Sequence, residues 1–140
     1  MKDLMNKIHT KRVISPVSVA DTTALVGEII DKSGFESLTY VIATGSIADA
    51  DATFTVLLEE SDASNMASAT AVADADLLGT EVLAAFQFDD DNETRKLGYI
   101  GSKRYTRLTI TPVANASAAL VSAVAVLGHP QIAPTANPPV

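Results

Sequence analysis

Residues 97–112, LGYIGSKRYTRLTITP, contain the alternation that decides the fold. From Tyr105 onward the stretch is rich in β-branched residues, and its side chains fall into two alternating sets, as in a strand with one buried face. The predicted core side is Thr106, Leu108 and Ile110, and the opposite side presents Tyr105, Arg107, Thr109 and Thr111. Residues 94–100 predict a second strand, and Gly101-Ser102 between the two strands indicates a tight hairpin.

The rest of the chain also follows a period of two residues, the spacing of β-strands. Comparable short runs, separated by clusters of Asp, Asn, Ser, Gly and Pro, occur at residues 24–30, 37–45, 53–60, 94–100, 105–111 and 119–128. Seven or eight short strands at this spacing predict an antiparallel β-sandwich. Residues 65–83 are ambiguous, because their alanines suit a short helix while Val72 and the Ser and Thr residues also permit an irregular edge strand.

Length and composition limit the class of protein further. A chain of 140 residues forms one domain and buries enough surface to fold without cross-links. The absence of cysteine excludes disulfides, thiolate metal sites and a cysteine nucleophile. No apolar run reaches the ~20 residues of a membrane span, and the N-terminal residues lack the apolar core of a signal peptide. We therefore expect a soluble protein that is not exported through a signal peptide.

Charge is distributed unevenly along the chain. Residues 1–12 have a net charge of +3, whereas the whole chain has a formal net charge of −7. An acidic body repels phosphate backbones, so nucleic acids are not expected partners. Residues 128–140 contain four of the six prolines, which favour an extended chain. We therefore divide the chain into a basic N-terminal arm (1–12), a β-sandwich domain (13–128) and a proline-rich C-terminal tail (129–140).

Few residues have the chemistry of a catalytic or metal site. The two histidines, His9 and His129, lie outside the predicted sandwich, where surface or interface roles are expected. Acidic clusters at residues 49–52, 74–76 and 89–93 offer oxygen ligands for calcium but lack EF-hand spacing, so solvated turns are favoured. The neighbouring Glu59 and Glu60 point to opposite faces of a strand, which opposes a shared catalytic role. We predict no enzyme activity, no cofactor and no metal site.

The cationic and aromatic residues of 97–112 allow three interpretations. They form an ordinary solvated sheet face, a cationic band that binds an acidic protein surface, or a nucleic-acid stripe. A hairpin here would let arginine stems stack on tyrosine rings. The acidic charge of the remaining chain disfavours nucleic acid.

Four stretches carry a resemblance to a known family: VLLEESD (56–62), ADLLG (75–79), GYIGSKRYTRLTITP (98–112) and SAVAVLGHP (122–130). In pattern, length and order, the chain from about residue 35 to residue 130 resembles the small cement, or decoration, proteins of tailed-bacteriophage capsids. The resemblance implies a jelly roll. The predicted fold is therefore all-β, an antiparallel β-sandwich of the jelly-roll type with extended N- and C-terminal arms.

The resemblance also implies a function. Such proteins are virion structural proteins that are assembled in the host cytoplasm, bind the outer surface of an icosahedral capsid, and bridge subunits of the major capsid protein, often as homodimers or homotrimers. Neither nucleic acid nor a membrane is an expected partner. The candidate partner-binding residues are Lys2, Lys7, Lys11, Arg12, Arg104, Tyr105, Arg107, His129 and Pro130. The alternatives are a carbohydrate- or receptor-binding jelly-roll module and a head-completion or tail component of a phage particle.

Overall fold

A computed structural model describes residues 2–139, and this part of the chain contains eleven β-strands and one helical turn. The strands are β1 (Ile8–Val19), β2 (Leu25–Val26), β3 (Ile30–Asp31), β4 (Phe35–Ile47), β5 (Thr53–Ser61), β6 (Thr70–Ala71), β7 (Leu77–Leu78), β8 (Phe86–Gln87), β9 (Thr94–Tyr99), β10 (Tyr105–Val113) and β11 (Ala119–Pro130). The helical turn α1 spans Glu81–Ala84, and single 3-10 turns lie at Met5–Lys7 and Asp74–Asp76. No helix of residues 2–139 is long and apolar enough to cross a membrane.

The strands form two antiparallel sheets. Sheet A has the order β1-β11-β4-β9-β7, and sheet B has the order β2-β10-β5-β6, with β3 also pairing to β10 and β8 to β5. The strand β1 pairs with β11, β2 and β3 pair with β10, β4 pairs with β9, and β5 pairs with β6 and β8. Each pair therefore lies within the preceding one along the chain, and the short β7 adds to the edge at β9. That nested pairing is a jelly roll. The predicted antiparallel β-sandwich of the jelly-roll type is therefore confirmed.

The core lies between the two sheets and follows the predicted alternation. In β10, Thr106, Leu108 and Ile110 are fully buried, while Tyr105 and Arg107 are only half-buried on the outer side. The strands β4 and β11 alternate in the same way, because every second residue of each packs into the core. The predicted parity of the strand at 105–111 is confirmed.

The predicted hairpin at residues 94–111 is wrong. Strand β9 pairs with β4 and β7 in sheet A, whereas β10 pairs with β5, β2 and β3 in sheet B. The connecting residues cross from one sheet to the other, and Gly101 packs against the ring of Tyr99 so closely that a Cβ there would lie 2.5 Å from the tyrosine hydroxyl. The backbone N–H of Lys103 donates to the same hydroxyl, at 3.0 Å. A Gly-Ser pair marks a tight change of direction, and it does not distinguish a hairpin from a crossing between sheets.

The predicted limits of the sandwich are also wrong at both ends. Strand β1 begins at Ile8, and its residues 8–12 pair with β11 instead of extending as an arm. His9 is buried, with 7% of its surface exposed, and His129 is part of β11, so neither histidine lies outside the sandwich. Register shifts between Arg12 and Ile14 and between Ile14 and Val17 break the alternation of β1, which conceals the strand in the sequence.

Residues near the two ends of the described chain contact each other. Residues 131–139 have no regular structure, and the backbone N–H of Thr135 donates to the carbonyl of Asn6 at 3.1 Å. The Thr135 hydroxyl donates to the carbonyl of Ile8 at 2.5 Å. The C-terminal tail therefore contacts the start of β1.

The ambiguous residues 65–83 contain both kinds of structure. The short strands β6 and β7 lie at the sheet edges, and α1 begins after Thr80, whose hydroxyl accepts a hydrogen bond from the Leu83 N–H at 3.0 Å. A threonine in this position satisfies a free amide at the start of a helix. The helix nevertheless ends after one turn.

Candidate interaction surface

The outer face of sheet A is a broad surface with little charge. It consists of the residues that alternate with the core positions, and we call this set the sheet A face: Ile8, Thr10 and Arg12 of β1; Leu120, Ser122, Val124, Val126 and Gly128 of β11; Ser37, Thr39, Val41, Ala43 and Gly45 of β4; Thr94, Lys96 and Gly98 of β9; and Leu78 of β7. Arg12, which pairs with Glu28, and Lys96 are the charged members of this set. Val124 is 40% exposed and Leu120 is 45% exposed. A sheet with one solvated face normally carries polar residues on that face, so this composition is typical of a surface that another molecule covers.

The outer face of sheet B has a different composition. It carries threonines at positions 53, 55, 109 and 111 and three exposed apolar residues, Val26, Leu57 and Val113. Arg107 pairs across the strands with Glu59, with 3.1 Å between the guanidinium and the carboxylate oxygen. Cross-strand ion pairs and hydroxyl groups are features of a solvated face. We therefore take the sheet A face as the main candidate interaction surface.

A groove of about 480 Å³ lies at one end of the sheet A face. Its apolar lining includes Leu4, Ile8 and Val126, and Gly128 lies between β1 and β4 at this end. At its rim, His129 Nδ1 lies 2.9 Å from the Ser37 hydroxyl oxygen. The groove extends from β1 across β11 to β4, so an apolar side chain from another molecule fits there.

The structure separates the predicted partner-binding residues. Lys7, His129 and Pro130 line the groove, and Lys2 is exposed before Met5–Lys7. Lys11 and Arg12 lie on β1, and Arg104 and Tyr105 lie at the start of β10, where the Arg104 guanidinium carbon is 5.1 Å from the centre of the Tyr105 ring. Arg107 is on the outer face of sheet B.

Most of these cations have a carboxylate of the same chain as partner. Arg104 binds Asp31 through two hydrogen bonds of 2.9 Å, and this contact lowers the pKa of the Asp31 carboxyl. Arg12 pairs with Glu28 at 3.3 Å, and Lys103 pairs with Asp62 at 2.6 Å. The cationic residues of the 97–112 stretch therefore do not form an open band, because each guanidinium or ammonium group there already faces an acid.

The acidic clusters bind backbone amides. Asp49 accepts hydrogen bonds from the N–H groups of Asp51 and Ala116, at 3.0 and 2.8 Å, and these bonds lower the pKa of its carboxyl. Asp91 accepts from the N–H of Ile47 at 3.0 Å. Within residues 2–139, no three acidic or histidine side chains converge as metal ligands. In the described turns these carboxylates hold loops to strand ends.

The adjacent Glu59 and Glu60 point in different directions, as predicted. Glu59 pairs with Arg107 on the outer face, whereas Glu60 accepts a hydrogen bond of 2.6 Å from the Tyr99 hydroxyl. The two carboxylates therefore have separate partners and do not form a dyad.

The sequence contained a signal for the sheet A face that the prediction missed. Residues 37–45, SLTYVIATG, and residues 119–128, ALVSAVAVLG, are apolar or small at both parities. A strand with apolar residues on both faces is usually buried on both faces, one against the core and the other against a further layer or molecule. These two strands contain no charged residue, so no cationic motif marks them as an interaction surface.

Comparisons with known proteins identify the fold. No protein-family model and no curated protein matches the sequence. Among solved structures, the chain is similar to the PBSX exported protein XepA, with a TM-score of 0.53 and 16% identity over 85% of this chain and 36% of that chain. It is also similar to the SPBc2 prophage-derived protein YomS, with a TM-score of 0.51 and 12% identity over 89% of this chain and 99% of that chain.

These similarities differ in how much of the other protein they cover. The chain spans little more than a third of XepA but almost all of YomS. A xylan-binding module, CBM15, has a TM-score of 0.44 and 10% identity, over 93% of this chain and 95% of that chain. At such identities the likeness to XepA and YomS shows a shared fold, and function has to be argued from the surface.

Proposed function

We propose that this protein is a structural component of a phage particle, which binds the outer surface of an icosahedral capsid and stabilises the shell by bridging major capsid protein subunits. The proposal includes assembly in the host cytoplasm and no catalytic activity. The observation that carries it is the sheet A face, which is exposed, nearly uncharged and as wide as the sheet itself. A surface of this kind serves contacts between proteins.

Two further observations support the proposal. A prophage-derived protein, YomS, shares the fold over 99% of its length. The rigid two-sheet sandwich presents its surfaces at fixed angles, which suits a subunit repeated by symmetry. The formal charge of −7 opposes binding to packaged nucleic acid and favours a role on the outside of a shell.

The physical mechanism is stabilisation by mass action. A protein that binds only the assembled shell shifts the equilibrium away from dissociated subunits, by about 2.7 kcal/mol per site when its free concentration is about 100 times its dissociation constant. A subunit that contacts two capsid proteins at once also gains from effective concentration. Small contacts repeated over a shell therefore stabilise it strongly.

Co-sedimentation with shells assembled without this protein tests the proposal. We expect saturable binding at hundreds of copies per shell and a rise in the melting temperature of the shell. Protein centrifuged without shells is the control for aggregation. No binding would contradict the proposal, and a few copies per shell would instead favour a head-completion or tail component.

A further inference from the structure

We propose that the sheet A face is the interface of a two-fold symmetric homodimer, with Val124 on the axis. The inference rests on the proposed function only in taking this face as a protein-binding surface, and it assigns the face to a second copy of this chain. The face then supports the proposed function through the dimer, which carries two copies of the remaining surface and can bridge two subunits of the shell.

Charge favours a second copy as the occupant. Two chains with a formal charge of −7 repel each other wherever their carboxylates approach. The strand positions of the sheet A face contain no carboxylate. Glu36 lines the groove at its end and Glu28 pairs with Arg12, so two copies can stack there with few acids close to one another. An acidic partner such as a second copy of this chain therefore meets less repulsion on this face than on any surface that carries the Asp and Glu residues.

The area of the face is sufficient for a stable dimer. Strands β11 and β4 contain 12 and 13 residues, and at ~3.3 Å per residue they are about 40 Å long. Four strands spaced by ~4.8 Å give a width of about 19 Å. Because β9 has only six residues, the four strands together cover about 680 Å², which lies within the ~600–1,000 Å² that each partner contributes to an interface of standard size.

The shape of the face is complementary to itself. On β11, Leu120 and Gly128 share the parity of Val124, and each lies four residues from it, about 13 Å along the strand. Leu120 projects from the face, whereas Gly128 lies in the groove. A two-fold axis through Val124 and across the strands places Leu120 of each copy over the groove of the other, which is the reciprocal contact that such symmetry requires.

The groove is wide enough for the usual crossing of packed sheets. Stacked sheets are rotated by about 30°, which displaces a residue 13 Å from the axis sideways by about 6 Å. The groove extends from Ile8 on β1 to Thr39 on β4, one strand to each side of β11. Leu120 of the second copy therefore remains within the groove at this angle.

The axis also passes close to Lys96, because Val124 is opposite Val41 and Val41 is opposite Lys96 in the register of the sheet. The two copies of Lys96 then face each other at one margin of the interface. The two copies of Arg12, which is opposite Val124 on β1 and pairs with Glu28 of its own chain, face each other at the other margin. Lys96→Ala removes the repulsion between the two lysines, so we expect the variant to dimerise several-fold more tightly than the unchanged protein. Weaker dimerisation of Lys96→Ala would contradict the position of the axis.

Disulfide cross-linking tests the axis directly, since the chain contains no cysteine. In a dimer with this axis, the cysteine of Val124→Cys lies opposite the same cysteine of the second copy, and disulfides can bridge packed sheets. The matched control is Leu57→Cys on the outer face of sheet B, because Leu57 is 38% exposed and Val124 is 40% exposed. We expect a disulfide-linked dimer of Val124→Cys under mild oxidation and unlinked Leu57→Cys. Equal cross-linking of both variants would overturn the inference.

The mass of the full chain in solution provides a second test. Sedimentation equilibrium at micromolar concentration should give twice the 14.6 kDa of one chain, and Val124→Lys should raise the dissociation constant about tenfold or more, while Leu57→Lys leaves it unchanged. A monomeric or trimeric unchanged protein, or a Val124→Lys dimer of normal affinity, would overturn the inference.

The two proposals fail in different ways. A monomer that saturates shells would overturn the dimer and leave the shell-binding function, with the sheet A face then a surface for the capsid. A dimer of the expected kind that binds no shell would retain the interface and contradict the proposed function.

Discussion

Two hydroxyl groups, those of Tyr40 and Thr106, lie 2.6 Å apart in the core, and both residues are fully buried. Tyr40 is on β4 in sheet A and Thr106 is on β10 in sheet B, so their hydrogen bond is a polar contact between the two sheets. One hydroxyl donates to the other, so neither buried oxygen is without a hydrogen-bond partner, and a threonine is allowed on the core side of β10. Burial also raises the pKa of Tyr40 above its ordinary value.

A lysine in place of Thr106 should unfold the protein, whereas a lysine in place of Thr109 should be tolerated. Thr106→Lys places an unpaired charge in the core and removes the hydrogen bond to Tyr40, at a cost of more than about 3 kcal/mol. Thr109 is on the outer side of the same strand, so Thr109→Lys should change the free energy of unfolding by only about 0.5 kcal/mol. Urea denaturation followed by circular dichroism measures both values. Similar losses in the two variants would contradict the parity of β10.

The stability of the protein should fall at alkaline pH. Burial raises the pKa of Tyr40, and burial with a hydrogen bond to Glu60 raises the pKa of Tyr99. Above pH ~10 the unfolded chain releases tyrosine protons that the folded chain retains, so rising pH favours the unfolded state.

The Tyr40→Phe variant tests whether Tyr40 causes the loss of stability at alkaline pH. The variant should lose about 1–2 kcal/mol near pH 7, because the Thr106 hydroxyl is left without its partner. It should then lose less stability than the unchanged protein between neutral pH and pH ~11, since one tyrosine no longer titrates. Urea denaturation at both pH values measures the difference, and an unchanged pH dependence would show that Tyr40 does not contribute.

Among the elements, β1 depends on its pairing with β11. Deletion of residues 1–12 removes the pairs from Ile8–Gly128 to Arg12–Val124 and uncovers that part of β11. We expect a loss of more than about 3 kcal/mol in the free energy of unfolding. Deletion of residues 1–7 is the matched control, and it should cost about 1 kcal/mol or less, since it removes no strand pair. Thermal unfolding by circular dichroism compares the two, and equal melting temperatures would show that residues 8–12 do not stabilise the sheet.

The long strands could be predicted from the sequence, but the short ones could not. β4, β5, β10 and β11 alternate over nine or more residues, and a pattern of that length identifies a strand locally. The two-residue strands at the edges exist only because a distant strand offers hydrogen bonds. Strand β1 is long, but its two register shifts interrupt the alternation.

The partners of the cationic residues could not be predicted for a related reason. Arg104 binds an acid that is 73 residues away in the chain, and Arg107 binds one that is 48 residues away. No local spacing indicates such contacts. A cluster of basic residues in a sequence is therefore weak evidence for a basic surface in a fold dominated by distant pairings.

For the molecule as a whole, net charge and self-association are coupled. Two bodies with a formal charge of −7 repel each other, and added salt screens this repulsion. The dissociation constant of the proposed dimer should therefore fall several-fold between low salt and about 0.5 M salt, because the proposed contact has no ion pair between the two copies that salt would weaken. Sedimentation equilibrium over a salt series measures the effect. A dimer that weakens as salt rises would show that opposite charges hold it together.

The position of β11 sets the order in which the chain can fold during synthesis. β11 is the last strand in the sequence, yet it lies between β1 and β4 in sheet A. Until residues 119–130 leave the ribosome, β1 has no neighbour in its own sheet and the apolar strands made before it remain uncovered. The sandwich therefore closes only after residues 119–130 have been synthesised, and a nascent chain stalled before residue 119 should be a substrate for chaperones and proteases.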